Sequence, residues 1–152
     1  MIKVGDYLPD IQLLDDAGNK VSTSDWKGKK TILYFYPKDN TPGCTNQAVS
    51  FENSRKDLER EGYQIIGVSK DSVASHQRFK DKYMLKFTLL SDPELELIKA
   101  MDVWVEKKNF GKSYFGVERS TFLIDEDLKV IKILRKVKPA GHGEEILKEI
   151  RS

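Results

Sequence analysis

Two runs of β-branched and aromatic residues constrain most strongly what this chain can fold into. Residues 31–36, Thr-Ile-Leu-Tyr-Phe-Tyr, form a continuous run that is typical of a strand buried on both faces of a sheet. Residues 63–69, Tyr-Gln-Ile-Ile-Gly-Val-Ser, predict a second buried strand. Between the two runs, a Thr-Pro pair at 41–42, apolar residues on helical spacing and Gly62 predict one helix.

The rest of the chain continues to alternate between helices and strands. The pattern predicts a helix over residues 72–83, a short strand over 87–90, a short helix over 93–101, a hairpin of two strands over 119–125 and 129–134, and a helix over 141–150. Alternation first and a hairpin later indicate an α/β fold with a central mixed β-sheet flanked by helices on both faces. No linker or internal repeat is present, so we expect a single domain over residues 1–152.

Charge and apolar content argue against several classes of protein. The 26 Lys and Arg residues nearly balance the 24 Asp and Glu residues, so neither nucleic acid nor a membrane surface is favoured as a partner. No apolar run approaches the roughly 20 residues that span a bilayer, and the first residues lack the apolar segment of a secretory signal. The single cysteine excludes an intramolecular disulfide. We therefore expect a cytoplasmic protein.

The two histidines, His76 and His142, are too few and too widely separated to predict a metal site, and we expect no metal or other cofactor. His76 lies among polar residues, which predicts an exposed side chain. His142 stands between two glycines at a helix start, without a catalytic partner nearby in the sequence. A basic run late in the chain predicts a solvated face rather than a partner site: Lys129, Lys132, Arg135, Lys136 and Lys138.

Cys44 follows the first buried strand and lies in the first turn of the next helix. Free backbone N–H groups and the positive end of the helix macrodipole stabilise a thiolate there, and the thiolate is the nucleophilic form of cysteine. Gly43 allows a small substrate to approach the backbone, and the Thr41 hydroxyl is near enough to bond the sulfur or a bound oxygen. Two interpretations stay open from these residues alone: an exposed, reactive thiolate, and a small apolar side chain that fills space under the sheet.

Residues 37–44, Pro-Lys-Asp-Asn-Thr-Pro-Gly-Cys, match the motif Pro-x-x-x-Thr-x-x-Cys and resemble the peroxiredoxins. The surrounding residues are similar to the peroxiredoxin Q, or bacterioferritin comigratory protein, group, which favours Phe-Tyr-Pro-Lys-Asp and Thr-Pro-Gly-Cys-Thr. The likeness extends to residues 4–10, 87–92, 103–107 and 119–125, in the same order. It implies a thioredoxin-like fold and a thiol-specific peroxidase that reduces hydrogen peroxide and organic hydroperoxides.

The resemblance also implies roles for individual residues. Cys44 would be the peroxidatic cysteine, which the peroxide oxidises to a sulfenic acid. Thr41 would hydrogen-bond the peroxide oxygens, and Pro37 would shield the thiolate from bulk water. Arg119 would hold thiolate and peroxide together. Four residues are further candidates for the substrate pocket: Tyr36, Gly43, Gln47 and Trp104.

The chain departs from the family pattern at Val49. Many peroxiredoxin Q proteins carry a resolving cysteine at that place, five residues after the peroxidatic one. A sulfenic acid on Cys44 therefore has no partner in the chain, and an external thiol must complete the cycle: thioredoxin, glutaredoxin or a small thiol. The alternatives are a peroxide sensor and a trapped variant in which Val49 replaces a natural cysteine. We expect a monomer, with a disulfide-linked dimer through two Cys44 residues as a further form on oxidation.

Overall fold

The computed structural model describes residues 1–152 and contains nine strands: β1 (Gln12–Asp15), β2 (Lys20–Ser22), β3 (Lys30–Phe35), β4 (Tyr63–Ser69), β5 (Thr88–Ser91), β6 (Trp104–Asn109), β7 (Lys112–Val117), β8 (Ser120–Ile124) and β9 (Val130–Leu134). Seven of them form one sheet in the order β2-β1-β5-β4-β3-β8-β9. Strands β3, β4 and β5 are parallel, whereas the other pairs in this sheet are antiparallel. The sheet is mixed, as predicted.

Helices cover both faces of the sheet, which also confirms the prediction. They are α1 (Pro42–Arg60), α2 (Val73–Tyr83), α3 (Glu96–Ala100), α4 (His142–Arg151) and a short 3-10 helix (Thr23–Trp26). Helices α1, α2 and α4 share one apolar cluster with the sheet, here called the α1-side cluster, which includes Ile32, Tyr34, Tyr36, Cys44, Ala48, Phe51 and Phe79. Helix α3 and the 3-10 helix contribute to the other, the α3-side cluster, which includes Trp26, Leu33, Phe35, Leu97 and Phe122.

No helix combines the length and the apolar composition that crossing a membrane requires.

Strand β3 lies at the centre of the fold because its two faces supply both clusters. Side chains alternate along a strand, so Ile32, Tyr34 and Tyr36 point to the α1 side. Leu33 and Phe35 point to the α3 side. All five side chains are at most 1% exposed. A strand that is buried on both faces needs an apolar residue at every position, which explains the continuous run in the sequence.

The predicted elements of this sheet and its helices agree with the structure to about one residue at each end, with helix α3 as the exception. The sequence predicted a helix over residues 93–101, but α3 begins only at Glu96. The buried Asp92 carboxylate accepts hydrogen bonds from the N–H groups of Glu96 and Ile98, both at 2.8 Å. These bonds fix the helix start three residues later than Pro93, after Leu95 in the left-handed region at a φ of 61°.

Four strands and the 3-10 helix were missed by the sequence analysis. Strands β1 and β2 have only 4 and 3 residues, too few for an alternating pattern. Strands β6 and β7 pair with each other in a separate hairpin, and most of their residues are partly or fully exposed. The hairpin turns at Phe110 and Gly111, both with positive φ.

Candidate active site

Cys44 is the third residue of α1, as the sequence predicted. Thr41 is the N-cap residue in extended conformation, and Pro42 occupies the first helical position. The first hydrogen bond of the helix runs from the N–H of Thr45 to the carbonyl of Thr41, at 2.8 Å. The N–H groups of Gly43 and Cys44 precede that bond and are not used by the helix. The sulfur therefore lies at the positive end of a helix of 19 residues.

The expectation of an exposed thiolate was wrong, because the side chain of Cys44 is only 2% exposed. Helix α1 packs an apolar face against the sheet. Cys44, Ala48 and Phe51 lie on this face at helical spacing. The cysteine lies at the start of this face, so its sulfur points inward. The burial of Cys44 matches the interpretation as a small apolar side chain under the sheet. The polar groups around the sulfur match the interpretation as a reactive thiolate.

Arg119 is the charged group that the fold brings to the sulfur. Its Nη2 donates to Cys44 Sγ at 3.4 Å, and its Nη1 donates to Gln47 Oε1 at 2.6 Å. Gln47, one of the candidates for the substrate pocket, lies one helical turn after Cys44 and is fully buried. The sheet explains the meeting: β8 pairs with β3, with Ser120 opposite Phe35, so the residue before β8 lies beside the end of β3.

Gly43 and Thr41 border the same site. A Cβ atom added to Gly43 would lie 3.4 Å from Nη2 of Arg119 and 3.5 Å from Cγ of Pro139, so Gly43 directly borders the guanidinium. The Thr41 hydroxyl donates to the carbonyl of Lys38 at 2.9 Å and not to the sulfur. Its lone pairs remain as acceptors, so Thr41 can receive a hydrogen bond from a peroxide O–H.

The other predicted site residues lie in different parts of the structure around Cys44 and Arg119. Pro37 is half-buried and directly precedes the loop that leads to Thr41. Tyr36 belongs to the α1-side cluster with Cys44, but its hydroxyl donates to the carboxylate of Asp39 at 2.6 Å. Trp104 stacks on Phe115 and packs against the α3-side cluster, which lies across the sheet from the sulfur.

Two buried polar atoms near the thiol have no hydrogen-bond partner, and the sequence analysis identified neither of them. They are the hydroxyl of Tyr34 and Nε2 of Gln47. Burial raises the pKa of Tyr34 well above its ordinary value, and the nearby Cys44 adds to the shift. The phenol therefore stays protonated and available as a donor. Unpaired buried donors are uncommon in proteins, and at a reactive site they indicate a place for a further acceptor.

His76 is fully buried, so the prediction of an exposed side chain was wrong. It lies in a polar network in which possible metal-binding atoms of Asp39, Asp71 and His76 come within 4.8 Å of one another. The ring nitrogens of His76 contact an Asp39 oxygen and the carbonyl of Leu90, and Oδ2 of Asp71 accepts from Ser69. Because protein groups already bond these atoms, we interpret the cluster as a hydrogen-bond network.

His142 is also fully buried, and it has two hydrogen-bond partners that the sequence analysis did not identify. Its Nδ1 donates to the carboxylate of Glu145 at 2.7 Å, and its Nε2 accepts from the hydroxyl of Thr121 at 2.7 Å. Burial lowers the pKa of His142, although Glu145 opposes the shift. The neutral ring fits this arrangement of one donor and one acceptor nitrogen.

Protonation of His142 makes stability depend on pH. The pKa of this histidine is lower in the folded chain than the ordinary value of about 6.5 in the unfolded chain, so the stabilisation is complete above that pH. As the pH falls below about 6.5, the unfolded chain binds the additional proton and the stabilisation is lost. Between about pH 7 and pH 5, we expect the unfolding free energy of the wild type to fall more steeply than that of His142→Gln. The difference is at most about 1.4 kcal/mol per pH unit. Urea titrations at several pH values measure both slopes, and equal slopes would contradict the assignment.

The basic run is not a uniformly solvated face. Lys136 and Lys138 are exposed, as predicted. Lys132 pairs with Glu149 in α4, and Arg135 pairs with Glu118 at 3.2 Å. Two of its charges therefore contact other elements of the fold.

Comparisons with known proteins agree with this geometry. The AhpC/TSA family profile matches residues 4–133. Peroxiredoxin Bcp of Bacillus subtilis is 50% identical over 150 residues, which cover 99% of this chain and 96% of that protein. Peroxiredoxin Bcp of Escherichia coli K12 is 38% identical, with 96% of this chain and 94% of that protein covered.

Solved structures show the same fold. A PrxQ mutant from Xylella fastidiosa superposes with a TM-score of 0.94 at 36% identity, covering 99% of this chain and 96% of that one. The bacterioferritin comigratory protein of Xanthomonas campestris, solved to explain its alkyl peroxide reduction activity, gives a TM-score of 0.88 at 38% identity, covering 93% and 90%. The thioredoxin-like fold that the resemblance implied is confirmed. The chain therefore belongs to the AhpC/TSA family, in which it is a peroxiredoxin of the Bcp or Q type.

Proposed function

We propose that this thiol-dependent peroxidase reduces hydrogen peroxide and organic hydroperoxides through Cys44 as its peroxidatic cysteine. The observation that carries the proposal is the 3.4 Å contact between Arg119 Nη2 and Cys44 Sγ at the start of α1. In the first half-reaction the thiolate attacks one peroxide oxygen. An S–O bond forms, the O–O bond breaks, and the departing oxygen takes a proton and leaves as water or an alcohol.

Electrostatic stabilisation of the departing oxygen supports this assignment. Negative charge moves from the sulfur to that oxygen, so donors that face it stabilise the transition state more than the ground state. Arg119 is charged at any working pH and presents several N–H groups in a planar fork. The N–H groups of Gly43 and Cys44 and the unpaired Nε2 of Gln47 add neutral donors in the same region. Thr41 contributes an acceptor for the peroxide proton.

An external thiol completes the cycle, since Cys44 is the only sulfhydryl in the chain. One thiol attacks the sulfenic sulfur and releases water, which leaves a mixed disulfide with Cys44. A second thiol displaces Cys44 and is released as the oxidised disulfide. Thioredoxin, glutaredoxin and a small thiol can all perform this chemistry. The burial of Sγ favours the small thiol, because a protein thiol must first displace the residues that cover the sulfur.

The same burial supports a monomer. A disulfide between two Cys44 residues requires both sulfurs to leave their clusters, since each is 2% exposed. We also propose that residues 1–152 work as one domain in the cytoplasm. The N-terminal segment supports one domain: the N–H of Gly5 donates to the carbonyl of Val130 in β9, and Tyr7 bridges Lys129.

A single-turnover experiment tests the peroxidase proposal. Fully reduced protein is mixed with one equivalent of hydrogen peroxide in the absence of any reductant, and residual peroxide and free thiol are counted over time. We expect one peroxide to be consumed per chain, orders of magnitude faster than by N-acetylcysteine at the same concentration. Addition of a small thiol should then restore Cys44 and allow repeated turnover.

Two other outcomes have clear meanings. A fast burst without turnover in any thiol system would indicate a peroxide sensor in place of a sustained peroxidase. A burst no faster than N-acetylcysteine would contradict the assignment of Cys44 as peroxidatic.

A further inference from the structure

We propose that His76 is a positioning residue for the Cys44 loop, defined here as residues 38–41, and that it acts as a buried imidazolium bonded to Asp39. The proposal rests on the assignment of Cys44 as the peroxidatic cysteine. It adds a set of hydrogen bonds that hold the loop to α2. Helix α2 does not belong to the group of residues around the sulfur.

Asp39 is the point at which the loop is held. Its Oδ1 accepts from the hydroxyl of Tyr36 at 2.6 Å. Its Oδ2 accepts from Oγ of Ser75 at 2.8 Å and from Nδ1 of His76 at 2.7 Å. Its backbone N–H donates to Oδ2 of Asp71 at 2.9 Å. Only 6% of the Asp39 surface is exposed, so these bonds replace most of its contact with water.

The contacts of His76 determine which of its nitrogens carry protons. Nδ1 faces a carboxylate oxygen of Asp39, and Nε2 faces the backbone carbonyl of Leu90 at 2.8 Å. Both partners are acceptors only, so each nitrogen must donate to form its bond. The Tyr36 hydroxyl, 3.5 Å from Nδ1, already donates to Asp39. A ring that donates from both nitrogens is an imidazolium.

The groups around the ring favour this positive charge. The ionisable side chains in the network come from three other elements: Asp39 from the loop, Tyr36 from the end of β3, and Asp71 from the segment after β4. None of the three is a cation. Buried charges are tolerated when they are paired and hydrogen-bonded, as the Asp39 carboxylate and the His76 ring are here.

A second contact holds the next residue of the loop to the same helix. Oδ1 of Asn40 accepts from the hydroxyl of Tyr83 at 3.1 Å and from Nζ of Lys82 at 3.4 Å. Asn40 has a φ of 60°, in the left-handed region. Thr41, the N-cap residue of α1, follows directly. Helix α2 thus fixes residues 39 and 40 from near both of its ends, and through them the start of α1 that carries the sulfur.

Two amide substitutions separate the two bonds of His76. The amide nitrogen of asparagine lies near the position of Nδ1, so His76→Asn keeps a donor toward Asp39 and loses the one toward Leu90. The longer His76→Gln places its amide near Nε2 and loses the donor toward Asp39. Both variants remove the positive charge, so they differ mainly in which bond remains.

We expect the bond to Asp39 to control the reaction rate. His76→Gln should lower the second-order rate constant of Cys44 oxidation by at least about tenfold, or 1.4 kcal/mol. The rate constant of His76→Asn should lie within about threefold of the wild-type value. The unfolding free energy is measured in parallel, and both variants should lose stability to a similar degree. A rate that is equally low in both variants, or unchanged in both, would overturn the positioning role.

Nitrogen-15 NMR of the histidine ring tests the charge in the wild type, without a variant that has to fold. We expect the two ring nitrogens of His76 to show the similar shifts of an imidazolium. A far-downfield shift for one nitrogen, typical of an unprotonated ring nitrogen, would overturn the proposal. Slow oxidation of the wild type itself would instead contradict the assignment of Cys44, so the two proposals fail in different measurements.

Discussion

Replacement of Cys44 by serine should abolish peroxide consumption while leaving the chain folded. A serine hydroxyl is not ionised near neutral pH, and its oxygen cannot take up the peroxide oxygen as sulfur does. The chain has no second cysteine that could substitute. The measurement is single-turnover consumption of hydrogen peroxide by Cys44→Ser beside the wild type, with the unfolding free energy from urea titration of each.

Asn46→Ser is the matched control for Cys44→Ser. Asn46 lies two residues further along α1 and is exposed, so this variant introduces the same side chain without touching the sulfur. We expect it to consume peroxide as the wild type does. Stability of Cys44→Ser should fall by no more than about 2 kcal/mol, because a hydroxyl replaces a buried thiol beside a donor from Arg119. Fast peroxide consumption by Cys44→Ser would exclude the cysteine mechanism.

Replacement of Arg119 by methionine should lower the second-order rate constant of Cys44 oxidation by about a hundredfold to a thousandfold. Removal of one donor from a site that stabilises developing negative charge has an effect of this size, about 3–4 kcal/mol. The rate constant of Arg119→Lys should lie between those of the wild type and Arg119→Met. An ammonium keeps the charge but cannot contact both Sγ of Cys44 and Oε1 of Gln47 as the guanidinium does. Stopped-flow oxidation of the reduced proteins gives the three rate constants.

Arg135→Met is the matched control for Arg119. Arg135 is also partly buried, but it pairs with Glu118 and contacts the carbonyl of Asp102 and not the sulfur. We expect Arg135→Met to lose stability and to keep the wild-type oxidation rate. If Arg119→Met reacted as fast as the wild type, the guanidinium would have no part in the transition state.

The fold could be predicted because its centre is apolar at every position. Residues 31–36 have no solvated face in the structure, so a continuous run identified β3 without any knowledge of its partners. The β6–β7 hairpin lacks such a signal, because Val117 is the one buried residue of its strands and it carries Lys108, Lys112 and the 96% exposed Phe110. The polarity of that segment resembles a loop, and only backbone pairing makes it a hairpin.

The candidate site could be predicted in part. Helical spacing alone relates Cys44 to Gln47, and local sequence alone places the sulfur at a helix start. Arg119 could be found only through the family resemblance, because 75 residues separate it from Cys44. The burial of His76 was hidden for the same reason. Its carboxylate partner Asp39 is 37 residues away, and the residues beside it in the sequence are polar and partly or fully exposed.

The pairing of β8 with β3 also sets when the thiol becomes reactive during folding. The start of α1 is a local structure, but the guanidinium reaches Cys44 only after β8 has joined β3, with Ser120 opposite Phe35. Contacts between such distant parts of a chain form late and slowly, because a long loop must close first. An unfolded chain therefore carries an ordinary sulfhydryl. Peroxide reactivity returns only once β8 has paired with β3, so the rate of Cys44 oxidation measured during refolding reports the formation of that strand pair.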